Sequence, residues 1–150
     1  MLAHAQRLIR SYRHWFDRDL LPPDGTPLEQ AQRLYPAPFA VLSHGTEADP
    51  ILNYGNATAL RLWEASWDDF VHMPSRLTTE PELRELRRRL MAELTARGSF
   101  AGMSGRRISR GGRRFQISDA SLWDVLTENG EFMGQAATFS KWQMLDEDIP

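Results

Sequence analysis

An α+β fold is predicted, with five strands divided by a group of helices and preceded by a helical extension. Three observations lead there. Apolar residues recur at helical spacing over the first twenty positions, at Leu2, Ala5, Leu8, Ile9, Tyr12, Trp15, Phe16 and Leu20. From Phe39 the period changes, and short apolar runs separated by turn residues replace the helical stripe. Three capped helix starts, at Asn56, Ser66 and Thr79, then fall between the second run and the third.

Each element has a local cause. Pro22 and Pro23 end the first helix, and Asp24-Gly25 turns the chain. Thr26-Pro-Leu-Glu29 is a capping box with proline at the first helical position, predicting a short helix to about Leu34. Pro36 and Pro38 close this region. Its apolar stripe needs a partner, either the sheet of the same chain or the same helix of a second copy. Phe39–Ser43 and Ile51–Tyr54 are the first two strands. Asn56 and Ser66 have side-chain oxygens that can accept from the free N–H groups of the helices they open. Thr79-Glu-Pro-Glu82 reads as another capping box, opening a longer helix with Leu83, Leu86, Leu90 and Leu94 on one face and Gly98 as its stop. Two strands, Phe100–Arg110 and Arg113–Leu126, are split by Gly111-Gly112 as a hairpin. Asn129-Gly130 makes a further turn before a last strand, Phe132–Trp142.

At 150 residues the chain can bury about two thirds of the surface its unfolded form exposes. No apolar run reaches the roughly 20 residues needed to span a bilayer, and the first residues are too polar for a secretory signal. A cytoplasmic location is expected. With no cysteine, disulfides, thiolate metal sites and cysteine nucleophiles are excluded. The net charge of −2 gives no overall drive toward nucleic acid or an acidic membrane, and neither is expected as a partner. The charge is uneven, however. Residues 76–114 hold eleven arginines and four glutamates, a local +7 that leaves −9 elsewhere. Such asymmetry marks either a site for an anionic partner or a solvated surface compensated at a distance.

The order strand, strand, helices, strand, strand, strand is that of PAS domains. Residues 38–142 also resemble a narrower family, the PAS-related MEKHLA domain. It occurs at the C-terminus of certain plant homeodomain–leucine-zipper transcription factors and as small stand-alone bacterial proteins. The resemblance lies in Leu42-Ser-His-Gly45, Asp49-Pro-Ile-Leu-Asn-Tyr-Gly-Asn56, Ala59-Leu-Arg-Leu-Trp-Glu64 and Pro74-Ser-Arg-Leu-Thr78. It continues in Ser104-Gly-Arg-Arg-Ile-Ser109, Gly112-Arg-Arg-Phe115 and Gly134-Gln-Ala-Ala-Thr-Phe-Ser140, at matching order and spacing. The resemblance implies a PAS-like five-stranded antiparallel sheet with helices packed on one face. It divides the chain into an N-terminal helical extension, 1–37, and a PAS-like MEKHLA domain, 38–150. It also implies a sensory or protein-interaction role, and it brings no catalytic residues.

In a PAS fold the ligand cavity lies between helices and sheet. Period-two alternation puts Phe115, Ile117, Asp119, Ser121, Trp123 and Val125 on one strand face. Asp119 and Ser121 then form a polar lining among large apolar residues, unless a bulge turns them out or arginine pairs them. Arg107 alternates with Arg106 and Ile108. If Ile108 covers the outer face, Arg107 points into the cavity, where it can grip a carboxylate or phosphate bidentately. Its structural alternative is a salt bridge to Asp119 or Glu64. Arg76 can serve likewise or anchor the loop before the long helix. Trp63, Trp67 and Trp123 suit a planar ligand, and equally suit plain core, as does Trp142. Asn53 and Gln135 are neutral polar strand residues able to read a ring edge or to satisfy backbone groups.

No cofactor is identified. A flavin photoadduct needs a reactive cysteine, which is absent. Haem needs an axial ligand, and the long helix holds no histidine. His4, His14, His44 and His72 include no pair at metal-ligand spacing, so no metal is expected. The resulting expectation is a sensory module that binds a small organic molecule, with an anion among the candidates. The sequence carries no output domain, so the signal passes through a homodimer or a signalling partner protein. The alternative is an interaction or dimerisation module without a ligand. An enzyme using Asp119, Arg107 and His44 ranks below both, and no catalytic site is assigned.

Overall fold

The computed structural model describes residues 1–145, so the end of the expected 38–150 unit lies outside the described residues. Two helices, α1 (Leu2–Phe16) and α2 (Pro27–Leu34), come first. The first stops short of Leu20 because Asp17 takes a left-handed conformation (φ 52°) and its N–H closes on the Arg13 carbonyl. The capping box of α2 forms as the sequence requires: Thr26 Oγ1 accepts from the Glu29 N–H, and Glu29 Oε1 accepts from the Thr26 N–H.

The sheet is antiparallel and contains β1 (Ala40–His44), β2 (Leu52–Gly55), β3 (Ser99–Ile108), β4 (Arg114–Leu126), β5 (Phe132–Phe139) and β6 (Lys141–Met144). Its order is β2-β1-β5-β4-β3, with β6 also on β4. The expected last strand, Phe132–Trp142, divides at Ser140. The reason lies in the strand beside it. Asp119 sits in β4 with φ 55°, a bulge conformation, between the Ser118–Lys141 and Ser121–Thr138 pairs. Both strands bend there, so β5 follows one half of β4 and β6 the other.

Between β2 and β3 lie α3 (Ala57–Trp63), α4 (Trp67–Phe70), two 3-10 turns (Ser75–Thr78 and Pro81–Leu83) and α5 (Arg84–Arg97). Asn56 caps α3 at Ala59 N, and Ser66 caps α4 at Asp69 N. The expected box at Thr79 does not form. Glu80 is instead buried, with its Oε1 3.8 Å from both Arg106 and Arg114, and the Leu83 N–H closes a tight turn on its carbonyl. The long helix therefore begins only at Arg84, without a side-chain cap.

These elements make two cores, one on each sheet face. Helices α3, α4 and α5 cover the inner face, where Trp63, Phe70, Leu94, Phe115, Ile117, Leu122 and Phe139 pack. Helices α1 and α2 cover the outer face over Val41, Tyr54, Trp123, Val125 and Ala136. The Tyr12 ring meets Trp123 edge-on at 5.0 Å. Of the two partners the α1 stripe could take, it takes the sheet of its own chain. No helix among the described residues is long and apolar enough to cross a membrane.

Candidate functional site: a cavity with two unpaired arginines

Between α5, α3 and the inner sheet face lies a cavity of ≈ 50 Å³. Its walls are mostly apolar: Leu42 and Leu52 from β1 and β2, Met103 from β3, Ile117 and Leu122 from β4, and Phe139 from β5. Polar groups enter from three directions. Ser75 and Thr78 come from the first 3-10 turn, Arg87 with Met91 from α5, and His44, Arg107 and Gln135 from the strands.

The inward setting of Arg107 follows from register. It lies directly opposite Phe115, a fully buried residue of the inner core, and opposed residues of an antiparallel pair share a face. Ile108 does not sit under the N-terminal helix, as one route to this placement supposed. It lines a surface groove with Met73, Leu77 and Arg84. Arg87 reaches the cavity because α5 turns Arg87, Leu90, Met91 and Leu94 toward the sheet, an i, i+3, i+4, i+7 face. The leucine face read from sequence is displaced accordingly, and Leu86 is 66% exposed.

Arg87 Nη2 donates to Ser75 Oγ, and Arg107 Nη1 donates to the Arg106 carbonyl at 2.9 Å. Among the described residues neither has a carboxylate within 4.0 Å. The salt bridge of Arg107 to Asp119 or Glu64 is absent, and Glu64 instead accepts from Ser109. Burial pulls both guanidinium groups down to about 10, and for Arg107 the nearby Arg87 charge acts in the same direction. His44 is also held below its ordinary value, first by burial. Its Nδ1 lies 3.0 Å from the Gly45 carbonyl. The chain passes close here: a Cβ at Gly134 (φ 134°) would collide with the His44 carbonyl oxygen.

Gln135 ties the sheet to α5. Its Nε2 donates to Thr95 Oγ1 at 2.7 Å and the Met91 carbonyl at 3.1 Å. Trp63, 1% exposed, lines the cavity, and its Nε1–H has no hydrogen-bond partner among the described residues.

Of the sequence candidates, the cavity therefore brings together Trp63, Arg107 and Gln135. The others lie elsewhere, each for an identifiable reason. The bulge at Asp119 exposes that residue and inverts the alternation after it, so Ala120 and Leu122 face inward while Ser121 and Trp123 face α1. Asn53 is on the outer face, where its Oδ1 accepts from Ser43 Oγ at 2.5 Å and His4 Nε2 lies 2.9 Å from the same hydroxyl. Trp67 packs edge-on against Tyr54 at 5.7 Å. Arg76 pairs with Asp49 at 3.2 Å, both partly exposed, and so anchors its loop. Asp119, Arg107 and His44 do not converge, because Asp119 is on the opposite surface. Among the described residues no group of three or more His, Asp or Glu could hold a metal ion.

Arg87 was not read from sequence as a site residue, since it stands in an Arg87-Arg88-Arg89 run that looks like solvated charge. Its helical spacing to Leu90, Met91 and Leu94 was the available signal.

A five-stranded antiparallel sheet in this order, with its helices grouped on one face, is the PAS-like architecture. The sequence profile of the MEKHLA domain matches residues 2–144, and the chain belongs to that family. Solved structures share the fold. A PAS domain from Colwellia psychrerythraea superimposes with a TM-score of 0.64 at 14% identity, covering 78% of this chain and 94% of that one. An RNA-binding light-oxygen-voltage receptor gives 0.64 at 19% identity over 85% of this chain and 35% of its own. A PAS domain of a LuxR-family regulator from Burkholderia thailandensis, solved in complex with ethanol, gives 0.55 at 14% identity over 76% and 95%. No curated protein matches.

Proposed function

We propose that this protein is a cytoplasmic sensory module that takes a small organic anion into the cavity between α5 and the sheet. Occupancy would be reported to a partner protein. One observation carries the reading. Arg87 and Arg107 both line a largely apolar space, and no acidic side chain among the described residues answers the two cations. A buried cation without a counter-charge is costly, and a bound anion removes the cost. The PAS domain that resembles this chain and was solved with ethanol supports a small occupant. Helix α5 supplies a route outward, since it holds Arg87 and Met91 and ends at Gly98, against which the Trp15 ring of α1 packs. The α1 stripe is already used on its own sheet, which counts against a homodimer built on that helix.

The test is chemical. Freshly purified protein is denatured, and the released small molecules are identified by mass spectrometry beside an Arg107→Met preparation. An organic anion released from the wild type and missing from the variant is expected. Release of nothing, or of the same molecule from both, contradicts the reading.

A further inference from the structure

We infer that the cavity selects a short-chain monocarboxylate of about three carbons, its carboxylate between Arg87 and Arg107 and its alkyl end against Met103, Leu122 and Phe139. The inference rests on the cavity being a ligand site and adds which ligand fits it.

Size gives the first bound. A water needs roughly 10–15 Å³ of such space, so a cavity of ≈ 50 Å³ holds about three to five water-sized groups. Propionate has five non-hydrogen atoms and reaches the upper end of that range; butyrate has six and exceeds it by one, and flavin and haem are several times too large. Charge gives the second. Two arginines share the cavity without a carboxylate partner among the described residues, and Ser75 holds Arg87 in place. A planar carboxylate matches guanidinium geometry and is less strongly hydrated than phosphate. The lining gives the third. Leu42, Leu52 and Ile117 give an alkyl chain an apolar wall to lie on, and the other polar groups of the lining are Ser43, His44, Thr78 and Gln135, of which Gln135 already donates to Thr95 and the Met91 carbonyl.

The test is a melting series with sodium acetate, propionate, butyrate and hexanoate at matched ionic strength. Butyramide, butanol, inorganic phosphate and chloride serve as controls. Propionate is expected to raise Tm by about 5–10 °C at a hundredfold excess over Kd, with acetate and butyrate weaker and hexanoate inactive. Arg107→Met and Arg87→Met are expected to abolish the shift. Both should themselves melt at or above the ligand-free wild type, because each removes a partly buried cation that no carboxylate among the described residues answers. The exposed Arg88, paired with Glu85 at 2.6 Å, is the control, and Arg88→Met should leave the shift intact. If phosphate matches propionate, or butyramide and butanol bind as well and survive in Arg107→Met, the cavity remains a ligand site and the carboxylate inference falls. If no member of the series shifts the wild type, the inference and the reading beneath it fall together.

Discussion

Asn56 shows how much one residue can fix. It is fully buried, and its Oδ1 accepts from the Val41 N–H at 3.0 Å and the Ala59 N–H at 3.1 Å. Its Nδ2 donates to the Phe39 carbonyl at 2.8 Å and the Leu34 carbonyl at 3.1 Å. One amide thus caps α3, holds β1 and receives the end of α2. Asn56→Ala would leave several buried backbone groups unpaired, and a loss of about 2–4 kcal/mol is expected by urea unfolding. A loss below about 1 kcal/mol would show that the cap alone matters. The cap was legible in the sequence, because an Asn before an apolar run is a local signal. The other partners were not, since they come from segments 15 to 22 residues away. Arg107 was legible for the same kind of reason as the cap, through strand alternation. Arg87 was hidden by its arginine neighbours.

Among the elements, the bulge in β4 decides which residues reach the cavity. Simple alternation places Asp119, Ser121 and Trp123 with Phe115 and Ile117. The left-handed residue at Asp119 adds half a period, and the second half of the strand presents the other set. Nothing local in Ser118-Asp-Ala-Ser121 announces this, although Asp tolerates φ > 0 better than most residues. Asp119→Val should therefore cost about 1–3 kcal/mol, while Asp119→Gly should be neutral or stabilising. Thermal unfolding of the two variants separates them, and equal melting temperatures would show that the bulge is not held by its conformation. The long helix gives a related case. Its late start at Arg84 follows from Glu80, whose burial near Arg106 and Arg114 depends on a hairpin more than twenty residues away. A capping-box pattern cannot report a competing contact of that kind.

At the scale of the molecule, histidines and a carboxylate packed against the sheet give stability opposite dependences on pH. His4, between α1 and the sheet, is pushed down to about 4, first by burial and then by the charges of Arg7 and the N-terminal amine. Its unfolded form binds a proton below pH 6.5 that the folded form refuses. Stability from this group is thus complete above pH 6.5 and is lost as pH falls toward 4. His44 acts in the same sense. Asp124, on the inner side beside Gln135, is raised to about 6 by burial. Its folded form keeps a proton that the unfolded form releases, so its contribution is present below pH 3.8 and is lost as pH rises to about 6. The slopes oppose each other between pH 4 and 6. Asp124→Asn should therefore give a stability that climbs with pH across this window. His4→Gln should shift the slope toward falling. Denaturant midpoints measured at half-unit steps check both, and profiles parallel to the wild type would contradict the assignment.

The central claim is that two partly buried arginines of the cavity await an anion. It is tested most directly by the Nε–Hε resonances of Arg87 and Arg107 in 15N-labelled protein, assigned by their disappearance in the two methionine variants. Titration with propionate is predicted to shift both resonances together along one saturable curve, while those of exposed arginines such as Arg88 stay in place. If both remain unmoved, or move only in proportion with the exposed arginines, the cavity does not bind the carboxylate and the account is wrong.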